Sequence, residues 1–132
     1  MKRPVWIIVA VAAAFGAGWL AGGSGRSAAE VAAGRSAQLA DFLQARALVL
    51  EGQMRLTEFN FGDAGARFGE AGEVVERLQR RLRETGLAER AGLLEVALGY
   101  LEEAGERAAA LDTDAGSAAE AALRTIDTVN GM

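Results

Sequence analysis

Carboxylates are the only clustered side chains in this sequence that could do chemistry, because the chain of 132 residues contains no cysteine and no histidine. Zinc sites built on Cys or His, Cys–His nucleophiles and Ser–His–Asp triads are therefore excluded. Asp112, Thr113 and Asp114 have the spacing that begins a calcium-binding loop. However, Gly116 and Ser117 occupy the places of a third ligand and of the required glycine. We therefore predict no calcium site.

The second acidic cluster comprises Glu102, Glu103 and Glu106. It lacks the Glu-x-x-His pairs of a di-iron bundle, and solvated helix surface is its simplest interpretation. An enzyme would need carboxylate-only catalysis with a strongly shifted glutamate. We predict no enzymatic activity, no cofactor and no metal. The net charge of -4 also argues against nucleic-acid binding, which needs a basic surface.

The N-terminal residues 1–23 are predicted to form a transmembrane helix. Residues 5–21 contain no charged side chain and follow Lys2 and Arg3. Their number lies at the short end of the roughly 17 to 25 residues that cross a bilayer. Trp6 and Trp19 lie near the two ends, where indoles prefer the headgroup level, and are predicted interface anchors.

A cleaved signal peptide, cut after Gly23, is the alternative for this segment. The apolar run exceeds the roughly 7 to 15 residues of a signal core, and the bulky Trp19 lies close to the cleavage point. An uncleaved signal anchor is therefore favoured. The basic residues before the segment favour a cytoplasmic N-terminus, which places the rest of the chain outside a bacterial inner (cytoplasmic) membrane.

Small residues repeat every four positions in this segment and so share one helix face: Ala10, Ala14, Gly18 and Gly22. Such a face lets a second transmembrane helix approach closely, and it predicts membrane-helix pairing in a homo-oligomer or larger complex. Chance spacing in an Ala- and Gly-rich chain is the alternative.

The remaining chain is predicted to be all-α, because no proline follows Pro4 and apolar residues recur at spacings of three and four. A short Gly/Ser linker over 24–29 precedes a helical hairpin domain over 30–132. Ser27 and Glu30 form a capping box for a first helix that ends near Glu58. Its predicted inward residues are Leu39, Phe42, Leu43, Val49, Leu50, Met54 and Leu56.

Three further helices follow, separated by turns at 59–62, at Gly86 and at 112–114. The second is predicted to begin at Asp63. Together the four helices predict two antiparallel hairpins, either closed as a bundle or stacked as repeats. Their predicted inward residues are Ala64, Phe68, Ala71, Val75, Leu78 and Leu82, then Leu87, Ala91, Leu94, Leu98, Leu101, Ala108 and Leu111, then Ala115, Ala119, Ala122, Ile126 and Val129.

Glycines at 65, 69 and 72 lie on one face of the second helix, although a helix-interior glycine costs about 1 kcal/mol relative to alanine. Close approach of another helix or of a partner would compensate, so Gly65, Gly69 and Gly72 are candidate partner contacts. A GC-rich genome, indicated by thirteen arginines against one lysine, is the alternative.

Arginines near the end of the second helix are further candidates for a partner, anion or lipid-headgroup contact: Arg77, Arg80, Arg81 and Arg83. Their spacing from Glu73, Glu76 and Glu84 also predicts ordinary ion pairs on a solvated face. Beyond Arg83 the chain has ten carboxylates and three arginines. A basic partner surface could use this acidic half, or two faces of one oligomer could pair.

Residues 45–71, ARALVLEGQMRLTEFNFGDAGARFGEA, resemble one tetratricopeptide helix–turn–helix unit, which extends to about residue 78. The likeness rests on small and aromatic residues at the spacings that this family uses for close helix packing: Gly52, Phe61, Ala64, Phe68 and Ala71. Glu51 and Arg55 depart from the pattern, and no proline closes the unit. The resemblance implies protein binding through a helical groove, with no chemistry.

The sequence thus predicts a membrane-anchored helical interaction module, acting as an adaptor or small subunit of a membrane or envelope complex. Its partners would be other membrane or envelope proteins, and lipid would surround the N-terminal helix. A ligand-sensing helical bundle held at the membrane is the alternative, as is a secreted helical protein after signal-peptide cleavage.

Overall fold

The computed structural model describes residues 27–132 with their side chains, and for residues 3–26 it gives only the helical backbone. Four helices follow one another: α1 (Arg3–Thr57), α2 (Phe61–Glu84), α3 (Ala88–Ala109) and α4 (Ala115–Gly131). The described part of the chain contains no strand, so the predicted all-α class is confirmed.

The side chains of the predicted membrane segment lie outside the described residues, and with them the proposed anchors and pairing face at Trp6, Trp19, Ala10, Ala14, Gly18 and Gly22. In the part that is described, no helix combines the length and apolar character needed to cross a bilayer. The chain divides into two compact units, residues 1–36 and residues 37–132, and the candidate surfaces below all belong to the second.

The first helix does not begin at Ser27, because both Ser27 and Glu30 lie inside α1. Glycine and serine weaken a helix without the steric block that proline imposes, and no proline follows Pro4. The predicted linker over 24–29 is therefore replaced by continuous helix.

Helix α2 begins at Phe61 and not at Asp63, because Asn60 is its N-cap. The Asn60 side-chain oxygen accepts the Asp63 backbone N–H at 3.3 Å, and its Nδ2 donates to Asp63 Oδ2 at 2.7 Å. This reciprocal cap satisfies a free amide of the first turn. Phe61 and Gly62, predicted as turn residues, therefore lie in the helix.

The predicted inward faces of α2 and α4 are confirmed: every residue assigned to them is buried. Gly86, predicted to follow the end of α2, has φ +78°, the left-handed conformation that glycine adopts without strain. One buried polar side chain also lies on α2, where Gln79 donates to the Ala91 carbonyl at 3.0 Å and is thereby satisfied.

The predicted face of α3 is correct in its centre and wrong at both ends. Leu87 is the N-cap residue and remains 37% exposed. Leu111 lies in the turn after α3 with φ +57° and is 70% exposed. Both side chains continue the helical spacing in the sequence, but the backbone has left the helix at these positions. Leu98 is partly buried against the core.

Four of the seven residues assigned to the inward face of α1 are exposed: Leu39, Leu43, Leu50 and Met54. The buried face instead carries Phe42, Val49 and Leu56 together with the small residues Ala45 and Gly52. Close approach of α2 requires small residues on this face. The prediction was wrong because it assigned the largest apolar side chains of α1 to the core.

The first and last helices of this bundle meet. Arg46 of α1 lies 3.2 Å from Asp127 of α4. At the same end, Arg90 of α3 donates to the Val129 carbonyl at 2.8 Å and lies 5.9 Å from the centre of the Phe42 ring. Because the contacts between successive helices join the end of one to the beginning of the next, as in Gln79 with Ala91, each helix from residue 37 onward runs antiparallel to the next around one apolar core.

Candidate interaction surfaces

The α1–α2 contact depends on a glycine. A Cβ on Gly52 would lie 2.8 and 2.9 Å from the Cδ1 and Cζ atoms of Phe68, closer than real side chains pack. The structure thus brings together two of the five residues that carry the repeat-like pattern. Ala64 and Ala71 are buried beside them, and Phe61 packs against the edge of the core.

A buried carboxylate reinforces the same contact. Asp41 of α1 is buried, and its oxygens lie 3.0 Å from Arg77 and 3.1 Å from Arg81 of α2. Arg77 also donates to Gln44 at 3.1 Å. Two of the four predicted partner-contact arginines are therefore engaged within the chain.

The ion pairs predicted along α2 are not formed. In the described part of the chain, Glu73 has no salt bridge because Arg77 turns to Asp41, and Arg80 contacts neither Glu76 nor Glu84. Arg80 and Arg83 stay exposed on α2 without an ion pair. Helical spacing indicates which pairs are geometrically possible, but a buried carboxylate attracts an arginine more strongly than an exposed one does.

A groove between α2 and α3, which we call the glycine groove, contains all three predicted partner-contact glycines. Its volume is about 410 Å³. Gly105 of α3 joins Gly65, Gly69 and Gly72 in the lining, and Phe68, Leu98 and Leu101 contribute the apolar side chains. Four glutamates also line it: Glu73, Glu76, Glu102 and Glu106.

The chain's own packing does not explain two of these glycines. A Cβ placed on Gly69 or Gly72 would meet no atom within 4 Å. On Gly65 it would make ordinary contacts, 3.8 Å from the Ala108 Cβ and 3.9 Å from the Gly105 carbonyl oxygen. Alanine would therefore fit at all three positions, in contrast to Gly52.

Negative charge in the glycine groove is not neutralised within the chain. None of its four glutamates forms an ion pair or side-chain hydrogen bond in the described residues, and no cation lines the groove. The nearby arginines have other partners: Arg67 pairs with Glu51 and Glu70, and Arg107 pairs with Glu103 and Asp112.

The sequence correctly predicted that the three glycines share one surface, but the glutamates that line the same groove were not predicted. The signal was present, since Glu102 and Glu106 are four residues apart and Glu73 and Glu76 three apart. Glu103, grouped with them in the sequence, instead accepts from Arg107 at 2.9 Å, and this hydrogen bond raises the pKa of the Arg107 guanidinium.

The acidic turn at residues 112–114 is structural. Asp112 accepts the Asp114 backbone N–H at 2.9 Å and pairs with Arg107 at 3.1 Å. Within the described residues, no group of three or more acidic side chains is arranged to hold a metal ion.

A second groove, between α3 and α4, is more apolar, and we call it the apolar groove. It has a volume of about 360 Å³. Leu93, Val96 and Tyr100 of α3 form one wall, and all three side chains are partly exposed. The wall from α4 includes Ala121 and Val129 together with the more polar Arg124, Thr125 and Thr128.

Comparison with known proteins adds no relative to this geometry: no family model, no curated protein and no solved structure matches the chain. The functional interpretation therefore rests on the helical bundle and on the two grooves described above.

Proposed function

We propose that this chain is a membrane-anchored helical interaction module, an adaptor or small subunit of a bacterial envelope complex. The charge-free segment over residues 5–21 supports the anchor, and the basic residues before it support a cytoplasmic N-terminus. The bundle over residues 37–132 would then lie outside the cytoplasmic membrane and present its grooves to a partner.

The observation that carries this proposal is the glycine groove. Interior glycines each cost a helix about 1 kcal/mol relative to alanine. Gly69 and Gly72 have open space where a Cβ would stand, as Gly92 and Gly99 do, but unlike these two they line one groove. A partner that packs its backbone or side chains onto this face would need the glycines, while the isolated chain does not. The groove is therefore the surface that we assign to binding.

A tetratricopeptide-like relationship is part of the proposal for the α1–α2 hairpin alone. Gly52 against Phe68 is the kind of small-to-large contact that such a unit uses. The contact between Arg46 of α1 and Asp127 of α4 favours a closed bundle over a stacked repeat for the whole domain.

Purification of the full-length protein from its native membranes in mild detergent tests the proposal. We expect an intact mass that retains residues 1–23 and a stoichiometric partner among the copurified proteins. An intact mass that lacks residues 1–23 would refute the proposed membrane anchor. Recovery of the protein as a monomer without any partner would refute the proposed adaptor function.

The apolar groove favours a second candidate, a ligand-sensing bundle. Its volume of about 360 Å³ falls within the roughly 300 to 1,000 Å³ of small-molecule sites, which are mostly apolar with a few polar groups. Thermal unfolding with a panel of small aromatic and aliphatic compounds tests it. A compound that raises the unfolding temperature of the wild-type protein but not of Val96→Glu would support ligand sensing. If no compound changes the unfolding temperature, none of the panel is a ligand of this groove.

A further inference from the structure

We propose that the glycine groove binds a basic helix of a partner protein. The proposal rests on the interaction function proposed above and assigns the chemistry of its partner. The occupant would carry arginine or lysine side chains beside a face of short side chains, and it would lie along the groove between α2 and α3.

The shape of the groove favours a helix with a narrow face. Gly65, Gly69 and Gly72 lie at spacings of four and three, so they follow one face of α2 for about two turns. Between them and α3 the lining is apolar at Phe68, Leu98 and Leu101. Small residues on a helix face let a second helix approach closely. Phe68 and Leu101 are already buried in the core, so Leu98, which is only partly buried, is the apolar side chain that such a helix would cover.

The charge of the groove favours basic side chains. Glu73 and Glu76 come from one wall and Glu102 and Glu106 from the other, so cations on a helix between them could pair on both sides. Asp41 of α1 pairs with Arg77 and Arg81 of α2, and Glu103 and Asp112 pair with Arg107. The carboxylates in the groove are thereby left for a group from outside the chain, and such complementarity steers association and sets specificity.

A second copy of this chain is a poorer occupant than another protein. Among the cations of residues 37–132, only Arg80 and Arg83 lack an ion pair and a side-chain hydrogen bond, and Arg35 of α1 is a third such cation in the other unit. Two cations near one helix end would face four carboxylates and the additional acidic residues after Arg83. A partner with its own basic helix satisfies the groove better.

Photo-crosslinking of the full-length protein in its native membranes tests the occupant directly. A photoreactive amino acid at Glu76 or Glu102 probes the groove, and the same amino acid at Glu95 or Glu120 probes exposed positions outside it. We expect a crosslink from the groove positions alone, to a peptide of another protein that contains several arginines or lysines. A crosslinked peptide without basic residues, or one from this chain itself, would overturn the proposal.

Charge reversal provides a matched comparison. Glu73→Lys combined with Glu102→Lys changes the net charge as much as Glu84→Lys combined with Glu95→Lys, and all four residues are exposed. We expect partner retention to weaken about tenfold in the groove variant and less than about twofold in the control, because rim charges act locally at physiological salt. Equal weakening in both would refute the assignment to the groove.

Alanine substitution distinguishes the proposal that a basic helix binds the glycine groove from the proposed adaptor function. Gly69→Ala combined with Gly72→Ala removes the close approach, while Gly92→Ala combined with Gly99→Ala adds the same methyl groups to helix positions that are equally open. We expect the first pair to lose the partner and the second to keep it. A partner that copurifies with both pairs would overturn the groove proposal and leave the adaptor function standing, and the absence of any partner of wild type would refute both.

Discussion

The two sides of helix α2 use glycine and charge in opposite ways. Towards α1, Gly52 is required by the Phe68 ring, and the Asp41 carboxylate is buried between two arginines. Towards the glycine groove, Gly69 and Gly72 face open space, and the glutamates have no cation. On the first side the groups find their partners within the chain, and these contacts hold α1 against α2. The second is left unsatisfied at some cost in helix stability, as expected of a surface that functions in a complex.

The largest effect should come from the satisfied side. Phe68→Ala deletes a fully buried ring and should lower the free energy of unfolding by about 3 to 5 kcal/mol, measured by urea denaturation followed by circular dichroism. Phe59→Ala is the control, because Phe59 is 75% exposed and its ring contacts only the Phe61 ring at a centroid distance of 6.4 Å among the aromatic residues, so it should cost no more than about 1.5 kcal/mol. Similar midpoints for the two variants would show that the α1–α2 contact does not form as described.

Removing the buried carboxylate should have the next largest effect. Asp41→Ala removes the carboxylate that pairs with Arg77 and Arg81 and should cost about 2 to 3 kcal/mol. The cost is less than that of a fully buried pair, since both arginines reach solvent and Arg77 keeps its hydrogen bond to Gln44. Asp127→Ala breaks the exposed pair with Arg46 and should cost less than about 1 kcal/mol. If the two substitutions lower the free energy of unfolding by the same amount, the burial of Asp41 contributes nothing to stability.

The sequence predicted best those elements whose buried residues are also their most apolar ones. The faces of α2 and α4 combine bulky side chains with strict spacing, so periodicity alone identifies them. In α1 the core positions at Ala45 and Gly52 are small because α2 lies close, and this closeness is a property of the packed pair that neither helix encodes alone. Leucines at 39, 43 and 50 therefore misled the assignment.

The ends of the elements and the ion pairs were less predictable for related reasons. Phe59 and Leu111 adopt positive φ in turns without being glycine, a conformation that their residue types disfavour. Arg77 has suitable partners at both Glu73 and Asp41, and only the tertiary structure makes Asp41 the buried one. The glycine groove was half predicted: three glycines share a helical face in the sequence, while the glutamates of α3 join them only when α2 and α3 pack.

A double-mutant cycle would sharpen the contrast between the two kinds of glycine. Gly52→Ala should lower stability by about 1 kcal/mol or more, because the clash with Phe68 outweighs the gain in helix propensity. Phe68→Leu makes room for the added methyl, so the double variant should be more stable than the sum of the two single effects predicts. Additive costs would mean that Gly52 and Phe68 do not contact each other.

The smallest effect has the opposite sign. Gly69→Ala and Gly72→Ala should each raise the free energy of unfolding by about 0.5 to 1 kcal/mol, because alanine stabilises a helix interior and no atom lies within 4 Å of the added methyl. Gly92→Ala and Gly99→Ala should give equal gains for the same reason. A loss of stability at 69 or 72, measured on the same urea curves, would mean that the chain itself needs these glycines. Equal gains at all four positions would mean that glycine lowers helix stability equally inside and outside the groove, so that stability alone does not distinguish the groove glycines and only partner retention does.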